Sequence, residues 1–209
     1  MNEQAAYLRA MFPSQTEVLD VILHPLTLGH TLLLHRLESP FVTPGAEAGD
    51  GDLALALALC SRSFADSVAA VNDSGFAVEL QRLIKGRDEL ELIGARTAFY
   101  KYLIVAHEGP KVKKQGSGRE SGAPFLLNVK LSLMNGYGYT HTEALNMPLG
   151  QALWEHATLL EREGRAEMRN RQDQEHHDRV MAFVAEVRAR YEAEQADKSA
   201  LESSVQAPA

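Results

Sequence analysis

The side chains best suited to metal binding or acid–base catalysis in this 209-residue sequence are its eight histidines. His24, His30 and His35 are six and five residues apart, and these spacings do not place them on one face of a helix. His176 and His177 are adjacent and would point about 100° apart on a helix. The sequence also lacks an HExxH motif and paired CxxC motifs, so it predicts no metal site and no cofactor.

The other reactive side chains have simpler explanations within a helical fold. His30 and His35 fall on an apolar helix, where we expect capping or core roles. Cys60 ends an apolar run and is expected to be a small core residue. His141 and Glu143 could form an acid–base pair, although such pairs arise by chance in a chain this rich in His and Glu. Because no nucleophile motif or phosphate-binding loop accompanies them, the sequence predicts no catalytic residues and no enzyme.

Composition narrows the classes of partner and the compartment. The formal net charge is -7, whereas nucleic-acid binding relies on clustered Lys and Arg, so no nucleic-acid partner is expected. Residues 53–60 form the longest apolar run, far short of the roughly 20 residues that cross a bilayer. The first residues lack the pattern of a signal peptide, and a single cysteine allows no internal disulfide. We therefore expect a soluble cytoplasmic protein with no membrane partner.

Hydrophobic periodicity predicts an all-α fold, an irregular bundle of about six to eight helices with a flexible internal loop and an amphipathic C-terminal helix. Leu and Ala alternate over residues 53–59 as in a strand, but both are good helix formers, so a helix is predicted. Four parts are expected along the chain: an N-terminal helical part at 1–107, a flexible linker or loop at 108–122, a C-terminal helical part at 123–195, and a disordered tail at 196–209. The two helical parts are expected to form one domain.

Local signals place helix ends in the N-terminal half. A weak helical pattern runs from the N-terminus to Leu23, and Thr27 is a candidate N-cap for the next helix. The long apolar pattern of residues 76–106 is expected to break near Gly86, because glycine weakens a helix interior.

Similar signals occur in the C-terminal half. Thr140 and Glu143 have the spacing of a capping box, in which a hydroxyl and a carboxylate satisfy the first backbone N–H groups of a helix. Pro148 suits the first position of the following helix, with Asn146 as its candidate cap.

The C-terminal region carries the candidate partner-binding surface. After a strongly charged stretch, apolar residues recur at helical spacing and predict one stripe of an amphipathic helix: Val180, Phe183, Val184, Val187 and Tyr191. Little of the remaining sequence can cover this stripe, so we expect it to bind another protein chain or to self-associate. Packing of the same stripe back onto the domain is the alternative.

Two segments resemble proteins of tailed phages. Residues 24–41, HPLTLGHTLLLHRLESPF, look like the opening of small helical proteins encoded in tailed-phage and prophage structural clusters. Residues 137–164 are similar to the closing helix of tail-assembly-chaperone-like proteins, in which Met-Pro-Leu precedes a helix that ends in Glu-x-x-Gly. Together the two segments cover about a fifth of the chain.

The resemblance implies a non-enzymatic phage or prophage tail-assembly accessory protein, chaperone-like, that acts by protein–protein binding. Its partners would be tape-measure or tail subunits, and its place the host cytoplasm. One alternative is a structural virion component, such as a connector or tail-completion protein. A metal-dependent enzyme that uses clustered histidines is the other.

Overall fold

The structure, a computed structural model, describes residues 3–114, 122–169 and 183. Helices make up most of these residues: α1 (Glu3–Met11), α2 (Leu28–Arg36), α3 (Asp50–Cys60), α4 (Phe64–Val71), α5 (Phe76–Ile84), α6 (Glu89–Ala106), α7 (Phe125–Tyr137), α8 (His141–Asn146) and α9 (Leu149–Arg162). Two two-stranded sheets accompany them: β1 (Thr16–Val18) with β2 (Val21–Leu23), and β3 (Lys111–Lys114) with β4 (Ala166–Arg169). The mostly helical character is confirmed, whereas the all-α prediction is overstated because it omits both sheets.

The chain divides into two compact units, Met1–Met168 and Arg169–Ala209. Most of the described residues belong to the first unit, and the second contributes Arg169 and Phe183. The C-terminal part predicted at 123–195 spans this division, and the predicted tail at 196–209 lies outside the described residues.

A β-hairpin stands where the sequence pattern predicts the end of the first helix. Val18 pairs with Val21, so the turn consists of Leu19 and Asp20, whose φ angles are 52° and 64°. Two consecutive positive φ angles are typical of the tight turns that join antiparallel strands, and Asp tolerates them better than Leu. The helical prediction for residues 16–23 is wrong because this turn is set by backbone conformation, which apolar periodicity does not report.

The α3 helix lies at the centre of the core. Leu53, Leu57 and Cys60 have no exposed surface, and α3 packs against α4, α5 and α6. A helix that is covered on all sides needs no polar face, which explains the alternation of Leu and Ala. The predictions of a helix at 53–59 and of a core role for Cys60 are confirmed.

The predicted helix ends of the N-terminal half are confirmed from Thr27 onwards. The Thr27 hydroxyl accepts a hydrogen bond from the His30 backbone N–H at 3.2 Å and caps α2. Gly86, with a φ of 80°, separates α5 from α6, and the carboxylate of Asp88 then caps α6.

In the C-terminal half, the observed helix ends agree with the predicted ones in part. Thr140 and Glu143 form the predicted capping box at the start of α8. Pro148 occupies the N-cap position of α9, one residue before the first helical position. The predicted cap at Asn146 is wrong, because the short helix α8 already uses that residue as its last.

The predicted flexible linker at 108–122 is wrong for residues 111–114, which form β3 and pair with β4. Strand pairing satisfies backbone N–H and C=O groups without burying large apolar side chains. A Lys-rich composition therefore does not exclude a strand here. Residues 115–121 lie outside the described residues.

The two segments that carry the phage resemblance lie side by side. The backbone N–H of Leu28 donates to the Met147 carbonyl at 3.0 Å, and the N–H of Leu149 donates to the Leu26 carbonyl at 2.7 Å. Residues that are about 120 positions apart in the chain thus share a backbone ladder next to the core.

Gly29 makes this close approach possible. A Cβ at this position would lie 2.7 Å from the Phe64 ring and 2.8 Å from the Leu145 carbonyl oxygen. Distances this short do not occur between real Cβ atoms and backbone oxygens, so the position requires glycine for packing. The glycine of the HPLTLGH stretch, Gly29, is therefore explained by packing.

Candidate functional site

The histidines do not converge on a metal site in the part of the chain that the structure describes. No three His, Cys, Asp or Glu side chains there lie close enough together to hold a metal ion. His24, His35 and His141 are exposed, and His176 and His177 lie outside the described residues. The prediction of a capping or core role for His35 is wrong, because its position in the last turn of α2 faces solvent.

His30 is a buried structural group, as the sequence predicts. Its Nδ1 lies 2.9 Å from the Thr27 hydroxyl and 3.4 Å from the Thr27 backbone N–H, so Nδ1 accepts hydrogen bonds. Its Nε2 lies 3.4 Å from the Ser67 hydroxyl, which itself donates to the Leu59 carbonyl at 2.6 Å. This network fits a neutral imidazole that carries its proton on Nε2. Burial lowers the pKa of His30 to about 4, which keeps the ring neutral.

The hydroxyl and imidazole of Ser67 and His30 do not constitute a nucleophile and base that a substrate could reach. Ser67 has no exposed surface and His30 is 1% exposed. Neither residue lines the cavity described below. Their hydrogen bonds instead join α2 to α4.

The possible acid–base pair at His141 and Glu143 is not formed. The Glu143 carboxylate accepts hydrogen bonds from the Thr140 backbone N–H at 2.8 Å and hydroxyl at 2.7 Å, and these bonds lower the pKa of Glu143. His156 is nearly buried against the Phe125 ring, and burial lowers its pKa. Glu143 therefore serves in helix capping, and His156 serves in packing.

A cavity of about 340 Å³ opens between the C-terminal ends of α1 and α6. Its lining is mainly apolar and comes from four separate stretches of the chain: Arg9, Ala10, Phe12, Pro13, Ser14 and Thr16; Pro25 and Leu26; Ala98, Lys101, Tyr102, Val105 and Ala106; and Pro148, Leu149 and Gly150. Ligand pockets typically measure roughly 300–1,000 Å³ and combine apolar walls with a few polar groups. We refer to this feature as the α1–α6 cavity.

The inner wall of the α1–α6 cavity belongs to the two segments that carry the phage resemblance. Residues 25–26 come from the first segment and residues 148–150 from the second, and their backbones are hydrogen-bonded to each other. The wall is therefore anchored in the core, which makes it a rigid support for a binding site.

Helix α1 forms the outer wall and rests on α9. A Cβ on Gly150 would lie 3.0 Å from the Ala10 Cβ, so the glycine allows the two helices to approach closely. The Tyr7 ring meets the Trp154 ring edge-on, with 5.6 Å between the ring centroids. Aromatic pairs of this geometry are favourable beyond the area that they bury.

The rim of the α1–α6 cavity exposes large apolar side chains. Phe12 is 77% exposed and Val105 is 53% exposed, and both line the opening. Single exposed apolar residues are common, but a cluster of them around a concave opening is typical of a binding site.

One positive charge is available at this rim. Arg9 is paired with Glu108 at 3.0 Å, whereas exposed Lys101 has no ion-pair partner among the described residues. Tyr102 donates its hydroxyl proton to the His24 carbonyl at 2.7 Å, and burial raises its pKa, so it stays neutral. Within the described part of the chain, the site thus combines apolar space with the ammonium group of Lys101. Its chemical complement is a large apolar group beside a carboxylate.

The partner-binding stripe predicted at the C-terminus falls mostly outside the described residues. Val180, Val184, Val187 and Tyr191 are not described. Phe183 is described, is helical and is 65% exposed. The assignment of these five residues to partner binding stays a prediction.

Sequence reasoning missed the α1–α6 cavity because its lining comes from stretches that are far apart in the chain. The sequence offered one local signal, the Phe12-Pro13 pair directly after a helix, which places an aromatic residue where the chain must turn.

A scan against protein-family models, a search of the curated proteins and a search of the solved structures each found no match to this chain. Among the residues that the structure describes, no helix is both long enough and apolar enough to cross a membrane.

Proposed function

We propose that this chain is a non-enzymatic binding protein that receives an apolar side chain of a partner polypeptide in the α1–α6 cavity. The observation that carries the proposal is the combination of a mainly apolar cavity with the Lys101 ammonium at its exposed rim, which has no ion-pair partner among the described residues. A fully desolvated apolar anchor surrounded by polar contacts is the usual energetic centre of a protein interface. The partner segment would therefore present a large apolar residue next to Asp or Glu.

A polypeptide fits this site better than an isolated small molecule. Phe12 and Val105 border the opening. Beside Val105 on α6, the apolar side chain of Ile104 is also exposed. A polypeptide that extends out of the cavity therefore contacts more apolar surface. Burying that surface makes the free energy of binding more favourable for a partner larger than the cavity itself.

The resemblance supplies the class of partner. Both segments that resemble tailed-phage proteins contribute to the inner wall of the cavity. We therefore propose a phage or prophage tail-assembly accessory protein, chaperone-like, whose partner is a tape-measure protein or a tail subunit. This role places it in the host cytoplasm.

Affinity capture tests this proposal. The tagged chain is co-expressed with the tape-measure protein encoded in the same gene cluster, and the captured amount is compared with that obtained with two variants. Ala98→Leu fills the cavity from α6, and Ala69→Leu adds the same volume on an exposed position of α4 as its control. Capture by the unmodified chain and the control, but not by Ala98→Leu, is expected. Equal capture by all three, or by none, would contradict the proposal.

A further inference from the structure

The inner wall of the α1–α6 cavity contains a buried backbone donor. Leu26 lines the cavity and is 2% exposed, and its carbonyl accepts the hydrogen bond from the Leu149 N–H at 2.7 Å. The N–H of Leu26 itself has no hydrogen-bond acceptor among the residues that the structure describes. Buried N–H groups are almost always paired. This donor therefore indicates an acceptor that the described part of the chain does not supply.

The Leu26 N–H lies near the positive charge of the cavity rim. The Tyr102 hydroxyl donates to the His24 carbonyl at 2.7 Å, and this bond holds the second half of α6 against residues 24–26. Lys101 directly precedes Tyr102, and its ammonium group forms no ion pair within the described ranges of the chain. The long, flexible lysine side chain allows this ammonium group to turn towards the inner wall. An anion in the cavity can thus bind both donors.

The rest of the lining restricts the kind of anion. Ala98 and Val105 on α6 and Leu149 on α9 give the cavity mainly apolar walls. A small inorganic anion would leave these walls uncovered, and so would the side chain of a glutamate. The ligand that covers the walls and also reaches both donors carries an apolar group and a carboxylate close together. The C-terminal residue of a polypeptide carries both on the same carbon atom.

The closed inner wall favours a chain end over an internal segment. Backbone hydrogen bonds join Leu26 to Leu149 and Leu28 to Met147, so a partner chain cannot pass through this wall. An internal apolar residue could bring its side chain to the wall while its own backbone stays at the rim, and the N–H of Leu26 would then still lack an acceptor. A chain end instead brings its carboxylate oxygens to this donor.

We propose that the α1–α6 cavity recognises the C-terminal residue of the partner polypeptide. The apolar side chain of that residue lies against the α6 wall, and its carboxylate accepts hydrogen bonds from the Leu26 N–H and the Lys101 ammonium group. This inference rests on the proposed function and specifies which element of the partner enters the cavity. The chain terminus then supplies the carboxylate that an Asp or Glu side chain would otherwise provide. Capture of a terminal carboxylate by backbone N–H groups is an established mode of peptide recognition, and charge-assisted hydrogen bonds strengthen it.

Two short peptides that differ only at the chain end provide the first test. Acetyl-Gly-Phe with a C-terminal carboxylate, and the same peptide with a C-terminal amide, are titrated into the isotope-labelled full chain and followed by amide NMR. The acid should bind saturably and shift the amide proton signal of Leu26 downfield. The amide should bind at least about tenfold more weakly, because it lacks the charge. Equal affinities for the two peptides, or no saturable shift with the acid, would overturn the proposal.

Removal of the rim charge provides the matched variants. Lys101→Met keeps a long apolar side chain without the ammonium group, so it should bind the acid and the amide about equally. Lys85→Met makes the same change at an exposed position outside the cavity and should retain the preference for the acid. A preference for the acid that survives in Lys101→Met would show that the carboxylate lies elsewhere.

Extension of the partner's terminus separates this inference from the proposed function. The tape-measure protein is co-expressed with its native ends, with a short Gly-Ser extension at its C-terminus, or with the same extension at its N-terminus. The C-terminal extension should abolish capture, whereas the N-terminal one should not. Capture that survives the C-terminal extension but is still lost with Ala98→Leu would overturn the chain-end proposal and leave the proposed function intact. Saturable binding of the acid peptide without capture of any tape-measure protein would support the chain-end proposal and contradict only the assigned partner.

Discussion

The Arg9 guanidinium lies 3.0 Å from the Glu108 carboxylate and joins the last turn of α1 to the segment that follows α6. Because Arg9 also lines the α1–α6 cavity, this ion pair neutralises a charge that would otherwise be available to a ligand. Of the two cationic side chains that line the cavity, Lys101 is the one without an ion pair to any residue that the structure describes.

The Arg9–Glu108 pair is expected to shape the cavity more than it stabilises the fold. Its side chains are 40% and 36% exposed, and exposed pairs contribute roughly 0–1 kcal/mol. A double-mutant cycle with Arg9→Gln and Glu108→Gln should give a coupling free energy of at most about 1 kcal/mol in urea unfolding, decreasing with added salt. A coupling that is several times larger and insensitive to salt would contradict this view of the pair.

The buried His30 should make folding stability depend on pH. Its pKa in the folded chain is about 4, below the ordinary value of 6.5, so the unfolded chain takes up the proton first as the pH falls. This difference in pKa contributes about 3 kcal/mol to the free energy of unfolding. The contribution is complete above pH 6.5 and is lost as the pH falls from 6.5 to 4. Urea unfolding at a series of pH values should show this loss.

The control for His30 is the variant His30→Gln, which keeps a hydrogen-bonding side chain at the third position of α2 and does not titrate. Its stability should fall less than that of the unmodified chain over the same pH window. NMR titration of the unmodified chain provides an independent check, because the His30 ring should remain neutral until about pH 4. Protonation near pH 6.5 in the folded chain would show that the ring is not buried as described.

Replacing either of two helical glycines by alanine should change the stability of the fold, in opposite directions. Gly29→Ala places a Cβ 2.8 Å from the Leu145 carbonyl oxygen and should destabilise the fold by about 1–3 kcal/mol. Gly94→Ala meets no atom of the described residues within 4 Å and should stabilise α6 by about 1 kcal/mol. Thermal melts of the two variants show whether each substitution lowers or raises the melting temperature. Equal shifts in the same direction would mean that one of these environments is misassigned.

A surface position in the left-handed region offers a stabilising substitution. Glu38 is exposed, follows the C-cap of α2 and has a φ of 53°, a conformation that glycine adopts without strain. Glu38→Gly should therefore raise the free energy of unfolding by up to about 1 kcal/mol. Glu47→Gly, at an exposed loop position without positive φ, is the control and should lower it or leave it unchanged. A melting temperature that falls for Glu38→Gly would argue against this backbone conformation.

The Cys60 thiol should be unreactive in the folded chain. Cys60 is fully buried, and burial raises the pKa of its thiol to about 12, so almost no thiolate forms at neutral pH. A thiol reagent should modify it at the rate of global unfolding, and quickly once urea unfolds the chain. Rapid modification of the native protein would show that the α3 end is open to solvent.

The sequence predicts local features of this fold better than it predicts the site. The caps at Thr27 and Thr140 and the break at Gly86 are fixed by neighbouring residues, so their patterns could be interpreted directly. The β1–β2 hairpin was missed because its turn uses Leu19, a residue type that gives no turn signal. Strand β3 was missed because it pairs with residues more than 50 positions away.

The α1–α6 cavity illustrates the same limit. No single stretch of sequence contains it, and its inner wall exists because backbone bonds join Leu26 to Leu149 and Leu28 to Met147. The two segments that resemble phage proteins could be found from the sequence, but their contact could not. Lys101 lines this cavity, which is a property of the folded chain and not of its sequence neighbours.

The affinity of the purified tape-measure protein for this chain and for Lys101→Glu, measured by isothermal titration, tests the central claim most directly. Reversing the charge at the cavity rim should weaken binding at least about tenfold, or about 1.4 kcal/mol, and should reduce the salt dependence of the affinity. Lys85→Glu, at an exposed position outside the cavity, makes the same charge change and should bind like the unmodified chain. Equal affinities for Lys101→Glu and Lys85→Glu would contradict the assignment of the α1–α6 cavity as the binding site.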